Sequence, residues 1–207
     1  MLWLVRHGES EANAGGITSD PAGIELTPRG RAQAEAIAAS CPERPAWIGL
    51  SPFLRARQTA EPLLARYPDV PVKELAVQEF TYLAVARCAG TSGSTRRPLR
   101  GAYWSRMDPG YVDGEGAESF GMLWKRASAF LRWAEGRAGP GAVFSHEQFI
   151  RAVMTEAVDG VGEPTERDMR RFLALGGRLP IPNGAVVRVR RGGGRWRVGA
   201  IDRWGSL

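Results

Sequence analysis

The sequence predicts an α/β fold, a three-layer sandwich with a mainly parallel sheet between layers of helices. Two observations carry this. Short apolar runs alternate with longer helical stretches along most of the chain, which is the pattern of strands joined by crossover helices. The C-terminal stretch AVVRVRRGGGRWRVGAID (185–202) instead alternates apolar and polar residues around three glycines. It reads as a β-hairpin that adds antiparallel strands at or near a sheet edge.

The elements follow in order. Residues 2–5 are a short apolar run ahead of Gly8 and polar residues, hence a buried strand. TPRGRAQAEAIAAS (27–40) is a helix, with Thr27 as its cap, Pro28 at the first helical position and frequent alanine. AWIGLS (46–51) is a second strand. LRARQTAEPLLARY (54–67) is a helix that Pro62 must kink or restart. VKELAVQEF (72–80) is a third strand. Residues 87–117 are rich in Gly, Pro, Ser, Thr and Arg with little periodicity, and they read as an irregular surface excursion of the kind that often carries function. Helix returns at 118–136, with Met122, Leu123, Ala127, Phe130, Leu131 and Ala134 on one face. GAVFS (141–145) is a buried strand, and 149–158 and 164–176 are helices. A chain of 207 residues without an internal repeat fits one domain, 1–207, with 87–117 as an insertion capping the site.

Composition narrows the function classes. The two cysteines, Cys41 and Cys88, form no metal-ligand spacing, so a disulfide framework is not expected and a reducing cytoplasm is. The opening MLWLVRH is too short for a signal peptide's apolar region, and no stretch reaches the length of a membrane span. Net charge is +6, and all but two of the 28 basic residues are arginine. Such a balance suits nucleic acid, small anionic substrates, or nothing beyond compositional bias. The arginines are scattered without a basic tract or an aromatic-interleaved stripe, so nucleic-acid and membrane partners are not expected.

The chain has only two histidines, and each follows a predicted buried strand: His7 after Val5, and His146 after Phe144 and Ser145. Sheets of this type present ligands at the carboxyl ends of their strands. Arg6 adjoins His7, and Arg55 lies on the first turn of the helix after the second strand, with Arg57 an equal candidate by composition. Two cations and two imidazoles can converge there on one tetrahedral dianion.

These residues carry a family resemblance. LVRHGESEAN (4–13), SPFLRARQTA (51–60) and VFSHEQFIRAV (143–153) resemble, in order, the signature segments of the histidine phosphatase superfamily, also called phosphoglycerate-mutase-like. LTPRGRAQA (26–34) and the AESF…R segment (117–126) resemble weaker family blocks. The resemblance implies a covalent phosphohistidine mechanism without metal or cofactor, acting on a small-molecule phosphate ester. His7 is then the nucleophile, attacking as neutral imidazole. Arg6, Arg55 and His146 surround the phosphoryl oxygens, with Asn13 and the backbone N–H of Glu147 contributing. The leaving alkoxide needs a proton. Glu79 is the chosen donor, with Glu74, Glu115 and Glu118 as alternatives.

The chain departs from the family pattern at three places. Glu147 stands where many relatives have glycine. EFTYLAVARCAG replaces the G-x-W-E-G type continuation. ITSDPAGIE (17–25) lacks an F-x-G-W block. These leave the phosphate site intact and the substrate open. The leading expectation is a phosphomonoester hydrolase. A phosphoglycerate mutase or other phosphotransferase is the alternative, because Arg87, Arg96, Arg97, Arg100 and Arg106 in the excursion can grip a second anion. A binding module with little turnover is the third reading. Tyr82, Tyr103, Trp104 and Tyr111 either pack the excursion onto the body or line the entrance, packing being favoured.

Overall fold

The computed structural model describes residues 1–160 and 162–203. Among the described residues, six strands form one sheet in the order β3-β2-β4-β1-β5-β6. The strands are β1 (Leu2–Arg6), β2 (Trp47–Leu50), β3 (Val72–Glu74), β4 (Gly141–Ser145), β5 (Ala185–Gly192) and β6 (Arg195–Arg203). The first four are mutually parallel, and the hairpin β5–β6 joins antiparallel beside β1. Gly193 and Gly194 both take positive φ, 62° and 77°, which a two-residue hairpin turn of this hand requires.

The described residues also form seven helices: α1 (Pro28–Ala39), α2 (Leu54–Arg66), α3 (Val85–Cys88), α4 (Arg97–Arg106), α5 (Phe120–Glu135), α6 (Glu147–Asp159) and α7 (Glu166–Arg178). Successive strand residues point to opposite faces. Leu2 and Leu4 of β1 therefore join one core with α5, α6 and α7, whereas Trp3 and Val5 join the other with α1 and α2. Both faces are covered, so β1 and β4 read as unbroken apolar runs. Among the described residues, no helix is long and apolar enough to cross a membrane.

Local chemistry explains most boundaries. Thr27 accepts a hydrogen bond from Gly30 N at 3.1 Å, and Pro28 sits in the first turn, so α1 starts where expected. Ser119 caps α5 through Met122 N, and Thr165 with Asp168 forms a capping box on α7. α2 runs through Pro62 without restarting.

Three expectations need correction. The strand expected at 72–80 stops at Glu74, because its partner β2 ends at Leu50 and offers nothing further to pair with. The chain then crosses the carboxyl end of β4, where Ser145 Oγ donates to the Val77 carbonyl at 2.6 Å. Residues 87–117 are not irregular throughout: they hold the ten-residue helix α4, and α3 begins just before them. On α5, Leu123, Ala127, Phe130, Leu131 and Ala134 are buried as expected, but Met122 is 49% exposed, and Phe120 and Trp124 complete the buried face in its place. Tyr103 and Trp104 of the excursion pack as expected: the Tyr103 ring lies tilted 4.8 Å from Tyr82 and edge-on 5.3 Å from Trp104, and Trp104 lies 5.9 Å from Phe172 of α7, whereas Tyr82 also lines a cleft.

One close approach governs how α1 meets the loop after β1. A Cβ on Gly8 would sit 2.4 Å from the Gly30 carbonyl oxygen, and one on Gly30 would sit 2.0 Å from the Glu9 oxygen. Backbone meets backbone here, so no side chain can yield. Gly30→Ala is expected to destabilise the protein by about 1–3 kcal/mol, as overpacking does. A lower urea midpoint at unchanged slope is the check.

Candidate active site

The pairing of β1 with β4 places the two histidines. Arg6 pairs with Ser145, and His7 N donates to the Ser145 carbonyl at 3.0 Å, so each histidine follows directly on the last rung. Their ring centroids are 5.1 Å apart. β2 pairs with β4 on the other side, Leu50 opposite Phe144, and this brings Ser51 Oγ within 2.8 Å of His146 Nε2. The chain then enters α2, whose second residue is Arg55.

The hydrogen bonds define the His7 tautomer. His7 Nδ1 donates to the Gly8 carbonyl at 2.7 Å, which leaves the lone pair on Nε2. That lone pair accepts a hydrogen bond from Arg55 Nε at 3.1 Å. Arg55 Nη1 donates to the Pro21 carbonyl at 2.7 Å, and the guanidinium stacks 5.0 Å over the Phe53 ring. His146 Nδ1 is buried and has no hydrogen-bond partner among the described residues.

Electrostatics favour neutral imidazoles. Burial, reinforced by the Arg55 charge, holds both histidines well below the ordinary value of 6.5. Burial also pulls Arg55 down to about 10, a change that the Glu79 carboxylate opposes. Glu79 itself is pushed up by burial, against the pull of Arg55. Its Oε1 accepts from Phe80 N and from Gln148 N, each at 3.1 Å.

A cleft of about 340 Å³ opens over these groups. Arg6, His7, Asn13, Arg55, Glu79 and Glu147 all line it, while His146 lies buried against His7. The structure thus gathers every site residue expected from the sequence. It also separates the alternatives. Arg57 pairs with Glu74 on the exposed side of α2, which removes both from the cleft. Glu118 is bound to Arg126 at 2.7 Å, and Glu115 is exposed elsewhere. Asn13 Oδ1 accepts from Ser10 and Asn183, which turns its donor end away from protein acceptors. Glu147 does not stand free: its Oε2 lies 2.9 Å from Arg6 Nη1, and its Oε1 pairs with Arg151. Segment 85–100 supplies one wall through Val85, Cys88, Gly93, Arg96 and Arg100.

Three supporting residues were not assigned from the sequence. Ser51 and Thr59 sit inside SPFLRARQTA. Thr59 Oγ1 accepts from Gly8 N at 3.0 Å and donates to the Arg55 carbonyl at 2.6 Å, tying the two segments together. Asn183 Nδ2 donates to the carbonyls of His7 and Gly8, at 3.2 and 3.3 Å. Its only signal was a Pro-Asn-Gly turn ahead of β5.

A model of the histidine phosphatase superfamily, branch 1, matches residues 2–202. The chain belongs to that superfamily. Solved structures of the same fold include a phosphoserine phosphatase mutant from Entamoeba histolytica in complex with phosphoserine. It has a TM-score of 0.76 at 20% identity, over 100% of this chain and 98% of that one. The α-ribazole phosphatase from Shigella flexneri scores 0.75 at 20% identity, with the same coverages of 100% and 98%. A mycobacterial glucosyl-3-phosphoglycerate phosphatase scores 0.72 at 23% identity, again over 100% and 98%. No curated protein matches the chain.

Because His7 and His146 are the only histidines, proton NMR can follow both directly. Both rings are expected to titrate below 6.5. The sign for stability follows: the unfolded chain takes up protons first as pH falls below about 6.5. Their contribution is therefore complete above that value and is lost as pH drops toward the folded values. Denaturant midpoints that rise on acidification from pH 7.5 to 5.5 would contradict this assignment.

Proposed function

We propose that the protein is a phosphomonoester hydrolase that works through a phosphohistidine on His7 and acts on a small anionic phosphorylated metabolite. The single observation that carries this is the His7 ring. Burial favours its neutral form, the Gly8 carbonyl locks its tautomer, and its Nε2 accepts from the buried Arg55 guanidinium beside an open cleft, a bond that a phosphoryl group must draw away before attack. A nucleophile needs this state, and a phosphoryl group needs that cation.

In this reading the Nε2 lone pair attacks phosphorus as the P–O ester bond breaks. Arg6, Arg55, Asn13, His146 and the Glu147 backbone N–H surround the phosphoryl oxygens. His146 Nδ1, buried without a protein partner, is suited to one of them. Glu79, whose carboxyl is raised by burial, gives its proton to the leaving oxygen. The Gly8 carbonyl steadies the N–H of the His7 ring while it carries the phosphoryl group. Water then attacks phosphorus and yields a proton to the Glu79 carboxylate. The P–N bond breaks, phosphate departs and His7 returns to neutral. Segment 87–117 stands over the cleft as a cap.

Three measurements test this. His7→Ala is expected to abolish turnover of p-nitrophenyl phosphate, and unchanged turnover would overturn the assignment. Glu79→Gln should lower kcat on an alkyl phosphate by about 10²–10⁴, the usual span for a general acid. The loss on p-nitrophenyl phosphate should be much smaller, since its leaving group needs little help. Feeding 3-phosphoglycerate separates hydrolysis from the mutase alternative: free phosphate for the first, isomer exchange for the second. Glu147 competes with phosphate for Arg6. Glu147→Gln is therefore expected to tighten inhibition by inorganic phosphate about 3- to 10-fold, a change under about 1.4 kcal/mol.

A further inference from the structure

The segment that carries Glu79 has no regular structure to hold it. β3 stops at Glu74, and residues 75–84 belong to neither strand nor helix. A proton donor nevertheless has to stand within hydrogen-bond reach of the oxygen it serves. The Glu79 carboxyl accepts from Phe80 N and Gln148 N. The first of these belongs to the same segment and travels with it.

The segment is clamped from outside the cleft by an ion pair. Arg126 of α5 donates from Nη1 to the carbonyls of Ala76 and Gln78, at 2.8 and 3.2 Å. Its Nε and Nη2 grip the two carboxylate oxygens of Glu118, at 3.0 and 2.7 Å. Glu118 Oε1 also accepts from Thr81 N at 3.2 Å, and the Glu118 N–H donates to the Thr81 carbonyl at 2.9 Å. The pair thus holds the backbone on both flanks of residue 79. Neither Arg126 nor Glu118 lines the cleft. Their side chains are only 16% and 12% exposed, and the guanidinium lies 5.1 Å from the Phe149 ring of α6. An ion pair so far withdrawn from water adds little net stability over apolar side chains of the same volume. What a guanidinium fork supplies is direction, since its donors are fixed in one plane.

We infer that Arg126 and Glu118 are positioning residues for Glu79: by clamping residues 76–81 they set proton delivery to the leaving oxygen without touching substrate. This rests on the phosphatase reading above and adds two residues to it. A misplacement of about 1 Å is enough to cost on the order of 10²-fold in rate.

The test compares glycerol 3-phosphate, whose leaving alkoxide needs a proton, with p-nitrophenyl phosphate, whose leaving group needs little help. kcat/KM is the quantity read, because it ends at departure of the leaving group and leaves out the later attack by water. Arg126→Gln is expected to lower kcat/KM on glycerol 3-phosphate by about 10- to 100-fold. On p-nitrophenyl phosphate it should stay within about threefold. Placed on Glu79→Gln, the same change should add no further loss selective for the alkyl ester. Equal losses on the two substrates, no loss on either, or a selective loss that repeats in the Glu79→Gln background overturns the inference. Where Arg126→Gln does not fold, Glu118→Gln reads the same quantities, since it breaks the fork and keeps an acceptor for Thr81 N. Failure of the wild-type protein on both esters would instead sink the phosphatase reading. In that event, or if only the aryl ester is cleaved, carbon NMR of the glutamate carboxyls decides the positioning. Glu79 is the signal that Glu79→Gln removes. Burial holds it above its ordinary 4.5, with Arg55 and Arg6 opposing and Glu147 adding to the rise. A loosened segment lets it fall back toward 4.5 in Arg126→Gln, whereas removal of a cation alone would raise it. An unchanged or raised midpoint overturns the inference.

Discussion

The in-register pairing of β1 with β4 is the constraint on which the site depends. The rung Arg6–Ser145 fixes where both strands end, and the next residue on each is a histidine. A one-residue slip would turn every side chain of β1 to the opposite face. It would also take Leu2 and Leu4 out of one core and Trp3 and Val5 out of the other. Roughly 1.5–3 kcal/mol accompanies each such burial, so the cores hold the register and the register holds the imidazoles. β2 adds a third strand end through its own pairing with β4, and from it come Ser51 and, one helical turn on, Arg55.

Around that frame the charges are arranged with economy. Arg55 is buried and forms no ion pair among the described residues, a costly placement for a charge. Its hydrogen bonds go to a carbonyl and to an imidazole rather than to a carboxylate. Arg6, by contrast, is held by Glu147, which also holds Arg151. The two cations therefore differ in their surroundings: Arg55 feels only the more distant Glu79 carboxylate, and Arg6 carries an ion pair with Glu147. The glutamate that replaces glycine after the second histidine thus joins the electrostatics of the site rather than facing away from it.

The sites at strand ends were legible because short apolar runs followed by polar, turn-forming residues mark buried parallel strands, and the only two histidines fell at such ends. The choice of Arg55 over Arg57 was not legible: about 3.6 residues per turn sets both symmetrically beside the buried Ala56, and only the fold buries Arg55 while Arg57 and Glu61 stay exposed. Other features were not local. β3 stops at Glu74 because β2 is short, a property of its neighbour in space. α4 buries only Tyr103, so no apolar stripe announces it. The bonds from Asn183 span more than 170 residues and leave only a turn signal behind.

Those bonds from Asn183 have a consequence for how the molecule comes into being. The backbone around His7 is completed by the Asn183 side chain, just ahead of the strand that zips onto β1. During synthesis on the ribosome, β1 and α1 emerge long before this brace does. A nascent chain therefore carries His7 without its finished cradle, which arrives with closure of the sheet rather than with the histidine itself.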